Sequence, residues 1–436
     1  MVRNARSDTG AATRALLVIA QSATRSHLRR TSVANNLLTI NMITREAIRL
    51  WKNTNSFIQH VDMQYDDQFA QSGAKIGQTL RIRLPNDYTV RTGAAAQPQD
   101  TQETNTTLTM ATQKGVDLTF SSVERALKLD DFSKRILAPA VNNLVGAVAL
   151  DVMSGVETGC SNFTANLDGG GNVISPVAQT WLNAGAILDN ISAPAMNRRV
   201  VLDPLTEART VGSLTGLLNP APLISEQYKS ARMKEGLGFE YWMKDQTVLK
   251  HTTAAWAAMT VSGADQTGLT LVTAALTGPL SEGDIIEIDG VYAVNRITKQ
   301  NTGVLAQFVI TADAAVGATS LSIYPAIVPP VGGANVQYQT VTASPANGAS
   351  ITPVTPASSL YRKNIAFVPE AITIATADLE LPRGVQEAAR EQFDGLSMRM
   401  VSAYNIMTDQ FITRLDILYG YLFIRPEWVV AVGDAI

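Results

Sequence analysis

Apolar residues recur at helical spacing in two places. Ile43, Ala47, Leu50 and Trp51 fall four, three and one apart, which predicts an amphipathic helix capped by Asn41 and ending near Asn53-Thr-Asn55. Leu137, Val141, Leu144, Val148 and Val152 repeat at four, three, four and four, the strongest such signal in the chain. It predicts a helix of about 25 residues, opened by Asp131 or Ser133, stopped by Gly159, with one face against a sheet. Pro139 sits inside the pattern, so the helix either kinks there or begins there.

Elsewhere the period is two. Thr79-Leu-Arg-Ile-Arg-Leu84 alternates apolar and basic, a half-buried strand broken by Pro85-Asn-Asp87. A return strand is expected from near Leu108, and Val116–Phe120 alternates again. Between the two arms, Gly93–Thr107 carries no large apolar side chain and cannot bury itself. Residues 177–250 read as mixed α/β: helices near Gln179–Leu188, Leu205–Leu218 and Ile224–Lys234, with strands at Arg199–Leu202 and Phe239–Trp242.

From about Ala257 to Pro345 the chain is dominated by Thr, Val, Ala and Gly, with six acids and two bases, Arg296 and Lys299. Ile285–Val294 reads as a hairpin turning at Asp289-Gly290, where positive φ is cheap. Gln307–Thr311 and Thr319–Tyr324 are further short strands, so this stretch predicts a small β-barrel or sandwich inserted into the α/β region. Strands resume at Asn364–Ile374, and the C-terminal part holds Asp409–Arg414, Asp416–Ile424 and Trp428–Val432.

Composition narrows the class. The 436 residues exceed one ordinary core and imply about two to three domains. Charged residues are 17%, against roughly 25% in an ordinary soluble protein, as when subunit contacts cover surface. A single cysteine, Cys160, excludes an internal disulfide. The three histidines, His27, His60 and His251, lie far apart in sequence with no partner at metal-site spacing. The longest unbroken apolar runs are about six residues, as in Ala15–Ala20, short of the roughly 18 that span a bilayer.

Residues 1–32 carry +5 and leave −8 on the rest. That basic extension is of uncertain status: an arm or removable leader, a nucleic-acid-binding tail, or an over-extended reading frame with Val33 as the start. The −8 body has no field for condensing nucleic acid.

Reaction machinery is missing from the sequence. No G-x-S-x-G, H-E-x-x-H or G-x-x-x-x-G-K-[ST] occurs, and Gly73–Thr79 lacks the Gly-Lys pair of a phosphate loop. The four acids between Glu282 and Asp289 read as a solvated face before a weak cation site. No catalytic residue, cofactor or metal is expected.

The order of elements is distinctive: helical arm, long polar β-arm, long helix, α/β region with a β-rich insertion, closing strands. With Asn35–Thr39 running into Met42–Ile48, Asp131–Ala140 opening the long helix, Ile310–Ile323, Leu418-Tyr-Gly420 and Arg425-Pro-Glu427, the chain resembles the major capsid proteins of tailed bacteriophages. These have the HK-ninety-seven-like (Johnson) α+β fold, and the nearer likeness is to the P-twenty-two-type (gene-five-type) coat proteins with an inserted β-barrel domain.

The resemblance implies 33–66 as N-arm, 67–110 as E-loop region, 111–176 as peripheral domain with spine helix, and 177–250 as apical domain. The insertion is then 251–345, and 346–436 returns through the apical and peripheral domains. Some members of the fold cross-link an E-loop lysine to a neighbour. No lysine lies between Arg81 and Thr107, so that chemistry is not carried over.

The implied function is a structural subunit of an icosahedral shell around double-stranded DNA, located in the virion and assembled in the host cytoplasm. Its expected partners are further copies in hexamers and pentamers, a scaffolding protein, a portal, and packaged DNA bound without sequence specificity, with no membrane. Arg81, Arg83, Arg91, Asp100 and Glu103 of the arm are the expected inter-subunit contacts. An encapsulin-like compartment and a β-rich tail or surface protein are the competing readings.

Overall fold

The computed structural model describes residues 40–53, 57–63, 79–88, 90, 93–96, 105–121, 133–214, 233, 235–330, 336–393, 396–407 and 410–436. The basic extension 1–32 and the expected helix at Ile224–Lys234 lie outside these, except for Met233, which is not helical.

The N-terminal helix spans Ile40–Asn53 and buries Ile43, Ala47 and Trp51 with Ile48, close to the predicted stripe. Asn41 lies inside it and is not its cap. The long helix begins as a π-type turn, Ser133–Leu137, and continues as α from Ala138 to Ser154, with a short further turn at Val156–Gly159. Pro139 explains the change. Without an N–H, and with its ring against the preceding turn, it suits the first α-helical positions and not the interior. Ser133 is the first residue of the π-type turn, and its hydroxyl donates to Glu46 Oε1 at 2.6 Å.

Leu137, Val141, Leu144, Val148 and Val152 are each at most 2% exposed, as the spacing predicts. By length and composition alone Ser133–Gly159 could cross a membrane. Its contacts mark it instead as a core helix. Asp151 pairs with Lys114 at 2.6 Å and accepts from the Tyr419 hydroxyl at 2.5 Å, while Gly155 and Gly159 lie against the ring of Phe423.

That helix and the N-terminal helix pack on a five-stranded antiparallel sheet. Its backbone is one strand, Gln410–Phe423, where two were expected. Thr112–Ser121 pairs along it from Thr112↔Tyr419 to Ser121↔Gln410, and Leu396–Asn405 and Ile372–Ala377 pair with it too. Glu387–Phe393, not anticipated from sequence, forms the edge against Leu396–Asn405.

A second, mixed sheet places Val429–Ala435 between Asn162–Leu167, to which it runs parallel, and Leu360–Phe367, to which it runs antiparallel. Arg199–Leu202, Tyr241–Lys244, Leu249–Thr252 and Val173–Ile174 complete it. The unbroken run Val429–Val432 is wholly buried, as strands covered on both faces read. Helix Ala178–Asn190 covers one face with Trp181, Ala184 and Leu188 on Val200, Leu202, Val430 and Val432. Helix Pro204–Ser213 is shorter than expected and is capped by the Asp203 carboxylate on the Leu205 N–H, with Pro204 first inside.

The insertion forms a six-stranded antiparallel sheet: Gly268–Val272, Ser320–Ile327, Asn301–Ile310, Ile285–Val294, Ser350–Pro353 and Met259–Thr260, in that spatial order. The two edge strands meet through Ala274 N–H on Thr260 O and Ser262 N–H on Val272 O, both 3.0 Å. Its last strand lies past position 345, and every buried member of its core lies between Met259 and Ile351.

Asp289-Gly290 is not the hairpin turn. Ile288 and Val291 are both buried, which strict alternation forbids, and the register slips between Glu287 and Tyr292. Gly290, at φ +78°, supplies the left-handed residue of a bulge, a second use of the same Asp-Gly signal. The chain reverses at Asn295–Gln300, where the Asn295 carboxamide accepts from the N–H groups of Ile297 and Thr298 at 3.0 Å.

Candidate assembly surface

The root of the polar arm is a two-stranded ribbon, Thr79–Arg83 on Asn105–Thr109, paired from Thr79↔Thr109 to Arg83↔Asn105. The return strand therefore starts at Asn105, ahead of the expected Leu108. Alternation turns Ile82 and Leu108 inward onto Met110, Ala375 and Ile424 of the body. The same alternation leaves Arg81 and Arg83 exposed together on the outer face, opposite Thr107 and Asn105. Arg91, Asp100 and Glu103 lie outside the described residues.

The ribbon reaches the body through a glycine. A side chain at Gly420 would overlap the Thr109 carbonyl oxygen, so only glycine lets the arm's root lie this close to strand Gln410–Phe423.

Past Arg83 the arm is clamped by charge. Arg296, in the turn of the insertion's hairpin, contacts Asp87 at 3.1 Å and Glu427 at 2.8 Å, and Arg425 joins Glu427 at 3.2 Å. Three segments distant in sequence thus converge: arm, insertion and the approach to the last strand. Burial holds the nearby Lys299 ammonium below its ordinary value, Asp87 opposing that shift and Arg296 adding to it. Sequence reading read Pro85-Asn-Asp87 only as a break. The scarcity of bases in 257–345 marks Arg296 out, but nothing in the sequence names its partners.

Large apolar side chains stand exposed at turns and free ends. Val90 on the arm is 95% exposed, Met407 and Ile406 in the turn after Leu396–Asn405 are 88% and 80%, and Ile297 in the insertion's turn is 74%. Single exposed apolar residues are ordinary on a protein surface; what these four share is a place on the arm or in a turn. One cleft of about 450 Å³ lies between helix Ala178–Asn190 and the insertion, lined by Asn183, Ile187, Asn190, Leu305 and Gln307. It is a seam: Gln307 accepts from the Phe163 N–H at 2.7 Å, and Asn295 donates to Asn190 O at 3.0 Å.

Comparison with known proteins adds the family. The family described as "P22 coat protein - gene protein 5" matches residues 93–433, well over half the chain. No curated protein matches by sequence. Among solved structures, one of Mycobacterium phage Che8 is 11% identical, covers 87% of this chain and 90% of its own, and has a TM-score of 0.45. The capsid of Cyanophage P-SCSP1u is 9% identical over 82% of this chain and 84% of its own, with a TM-score of 0.40. The coat-protein I-domain of CUS-3 is 26% identical over 23% of this chain and 96% of its own, with a TM-score of 0.18. The family match carries the assignment: this chain belongs to the P22 coat protein family, and it is a major capsid protein that forms the shell of a tailed phage.

Proposed function

We propose that the subunit joins its neighbours through the outer face of the arm's root and the exposed apolar turns, building hexamers and pentamers of a closed icosahedral shell. The carrying observation is the division of labour across the ribbon. Its inner face is fixed to the body by Ile82 and Leu108, while its outer face presents Arg81 and Arg83 to solvent. Each exposed ion pair with an acidic neighbour is worth only about 0–1 kcal/mol, and weak contacts repeated around a shell let misplaced subunits leave. Arg91, Asp100 and Glu103 belong to the same proposed contact.

The −8 carried by residues 33–436 supports a shell that closes on a scaffolding protein and portal in the host cytoplasm before a motor fills it. Phosphate neutralisation by basic side chains drives condensation of DNA, and this body lacks the surplus. Packaged double-stranded DNA then touches the inner wall without sequence-specific recognition. The chain acts as a structural protein, needs no cofactor, and works without a membrane.

The test is assembly of purified subunits followed by light scattering. Arg81→Glu with Arg83→Glu is expected to slow shell formation, more so at low salt, where screening is weaker. Deleting 93–104, which spares the paired strand from Asn105, is expected to leave a folded subunit that forms no closed shells. Normal shells from the deletion, or a deletion subunit that does not fold, contradicts the assignment of the arm to contacts between subunits.

A further inference from the structure

Four ionisable side chains from four segments meet where the insertion joins the body. His251, on strand Leu249–Thr252, stands between two carboxylates. Its Nε2 is 2.9 Å from Asp284 Oδ1, at the insertion's entry, and its Nδ1 is 3.1 Å from Glu157 Oε2, at the end of the long helix. Lys363, from strand Leu360–Phe367, donates from Nζ to the same Glu157 oxygen and to Gly283 O, both at 2.9 Å.

The Asp284 and Lys363 side chains are wholly buried and that of His251 is 5% exposed, so the solvated face expected for the acids around Asp284 is not what this one makes. The second Asp284 oxygen accepts from the N–H groups of Ser281 at 2.8 Å and Ala254 at 3.3 Å. Gly283, at φ +89°, lies so close to Glu157 that a side chain there would overlap its carboxylate.

The geometry fixes a protonation state. Both imidazole nitrogens face a carboxylate oxygen, and carboxylates only accept. A neutral ring has one N–H and one lone pair, so one of the two contacts would set lone pair against lone pair. Only the imidazolium donates to both. With it, the two positive and two negative groups balance; without its proton, an uncompensated buried negative charge remains, which is costly.

We propose that His251 is a proton-operated latch, which as imidazolium ties the insertion through Asp284 to the end of the long helix through Glu157, and which on losing its proton loosens the insertion's seat on the body.

The groups facing the ring are Glu157, Asp284 and Lys363, with Tyr361 stacked edge-on at 5.5 Å. Burial opposes the charge on His251, yet hydrogen bonds to Asp284 and Glu157 outweigh it and raise the ring above its ordinary value. Burial likewise opposes ionisation of Glu157, but His251 and Lys363 hold it down at about 2. Burial pushes the Tyr361 phenol well above its usual range and the nearby Cys160 thiol to about 12, so neither titrates in the working window.

The signs follow. A raised His251 contributes fully below its released value of about 6.5 and loses that contribution as pH rises through its folded value. A depressed Glu157 contributes above the ordinary carboxylate range of about 4.3 and loses its share as pH falls toward about 2. The latch is closed between those limits.

The experiment uses the full-length subunit and two readouts. Histidine-selective labelling gives three ring signals to titrate by NMR, and His251→Gln identifies the relevant one. Hydrogen exchange follows protection of Ser281–Ile288 across the same pH range, corrected for the intrinsic rate. His251 is expected to titrate above about 6.5, with protection at the seat falling as it does. The fall is expected to be about tenfold for each pH unit by which the folded value exceeds the released one. In His251→Gln, protection at the seat is expected to be low and flat, while that around Phe308 and Leu321 stays as in wild type. A ring that titrates at or below the ordinary value, or wild-type seat protection that is independent of pH, overturns the latch. If His251→Gln does not fold, His27→Gln and His60→Gln together assign the third signal by difference, and the wild-type profile alone decides.

Discussion

Cutting the insertion free at two different points distinguishes a self-contained fold from a pendant one. Its core is drawn wholly from Met259–Ile351, and Trp256 donates to Thr355 O at 3.1 Å across the neck, so a fragment of 253–357 holds every strand. A fragment of 251–345 lacks Ser350–Pro353, the strand between Ile285–Val294 and Met259–Thr260. The shorter fragment forfeits burial of Ile351, which is 1% exposed, worth about 1.5–3 kcal/mol. It also loses ladder hydrogen bonds on both sides of that strand, each worth about 0.5–1.5 kcal/mol net. Met259 and Val261 lose their strand neighbour on one side and keep only the bonds to the Gly268–Val272 edge. A domain of this size has only about 5–15 kcal/mol in total.

A deficit of about 3 kcal/mol lowers Tm by roughly 12–24 °C in a domain of about 100 residues. Circular-dichroism melts and urea titrations read the difference. The longer fragment is expected to show β-type spectra and a single transition, and the shorter one a far lower transition or none. Melting temperatures within a few degrees of each other, or a disordered spectrum from 253–357, refutes the reasoning.

Leu144→Ala, in the middle of the long helix's buried stripe at 2% exposure, should cost about 2–5 kcal/mol through lost transfer and a new cavity, and an unchanged melting temperature refutes that placement. Gly420→Ala forces the arm's root away from strand Gln410–Phe423 and should cost about 1–3 kcal/mol by overpacking. Its signature is faster hydrogen exchange in Asn105–Thr109 than in wild type, and equal exchange contradicts the close approach.

Periodicity made the two helices legible, because Leu137 to Val152 place a whole stripe in the core and Ile43, Ala47 and Trp51 do so with only Leu50 left half-buried. Local chemistry was legible but ambiguous. Asp289-Gly290 marks a left-handed residue correctly, yet turn and bulge need the same one, and only the burial of both Ile288 and Val291 decides between them. Glu387–Phe393 escaped because an edge strand with two glutamates and an arginine shows no apolar alternation.

For the assembly surface, the alternation of Arg81 and Arg83 with Ile82 was enough to place both on one face. The clamp of Arg296 on Asp87 and Glu427 was out of reach, since nothing local links residues so far apart in the chain. The same holds for Asp284, whose acidic neighbours suggested solvent while a histidine on a distant strand fixed it inside.

Electron microscopy of particles assembled from this chain, in the presence of the scaffolding and portal proteins of the same phage, tests shell formation most directly. Closed icosahedral particles of uniform size, with double-stranded DNA inside the native form, are the expected result. Fibres, open sheets, or subunits that remain monomeric under those conditions contradict it.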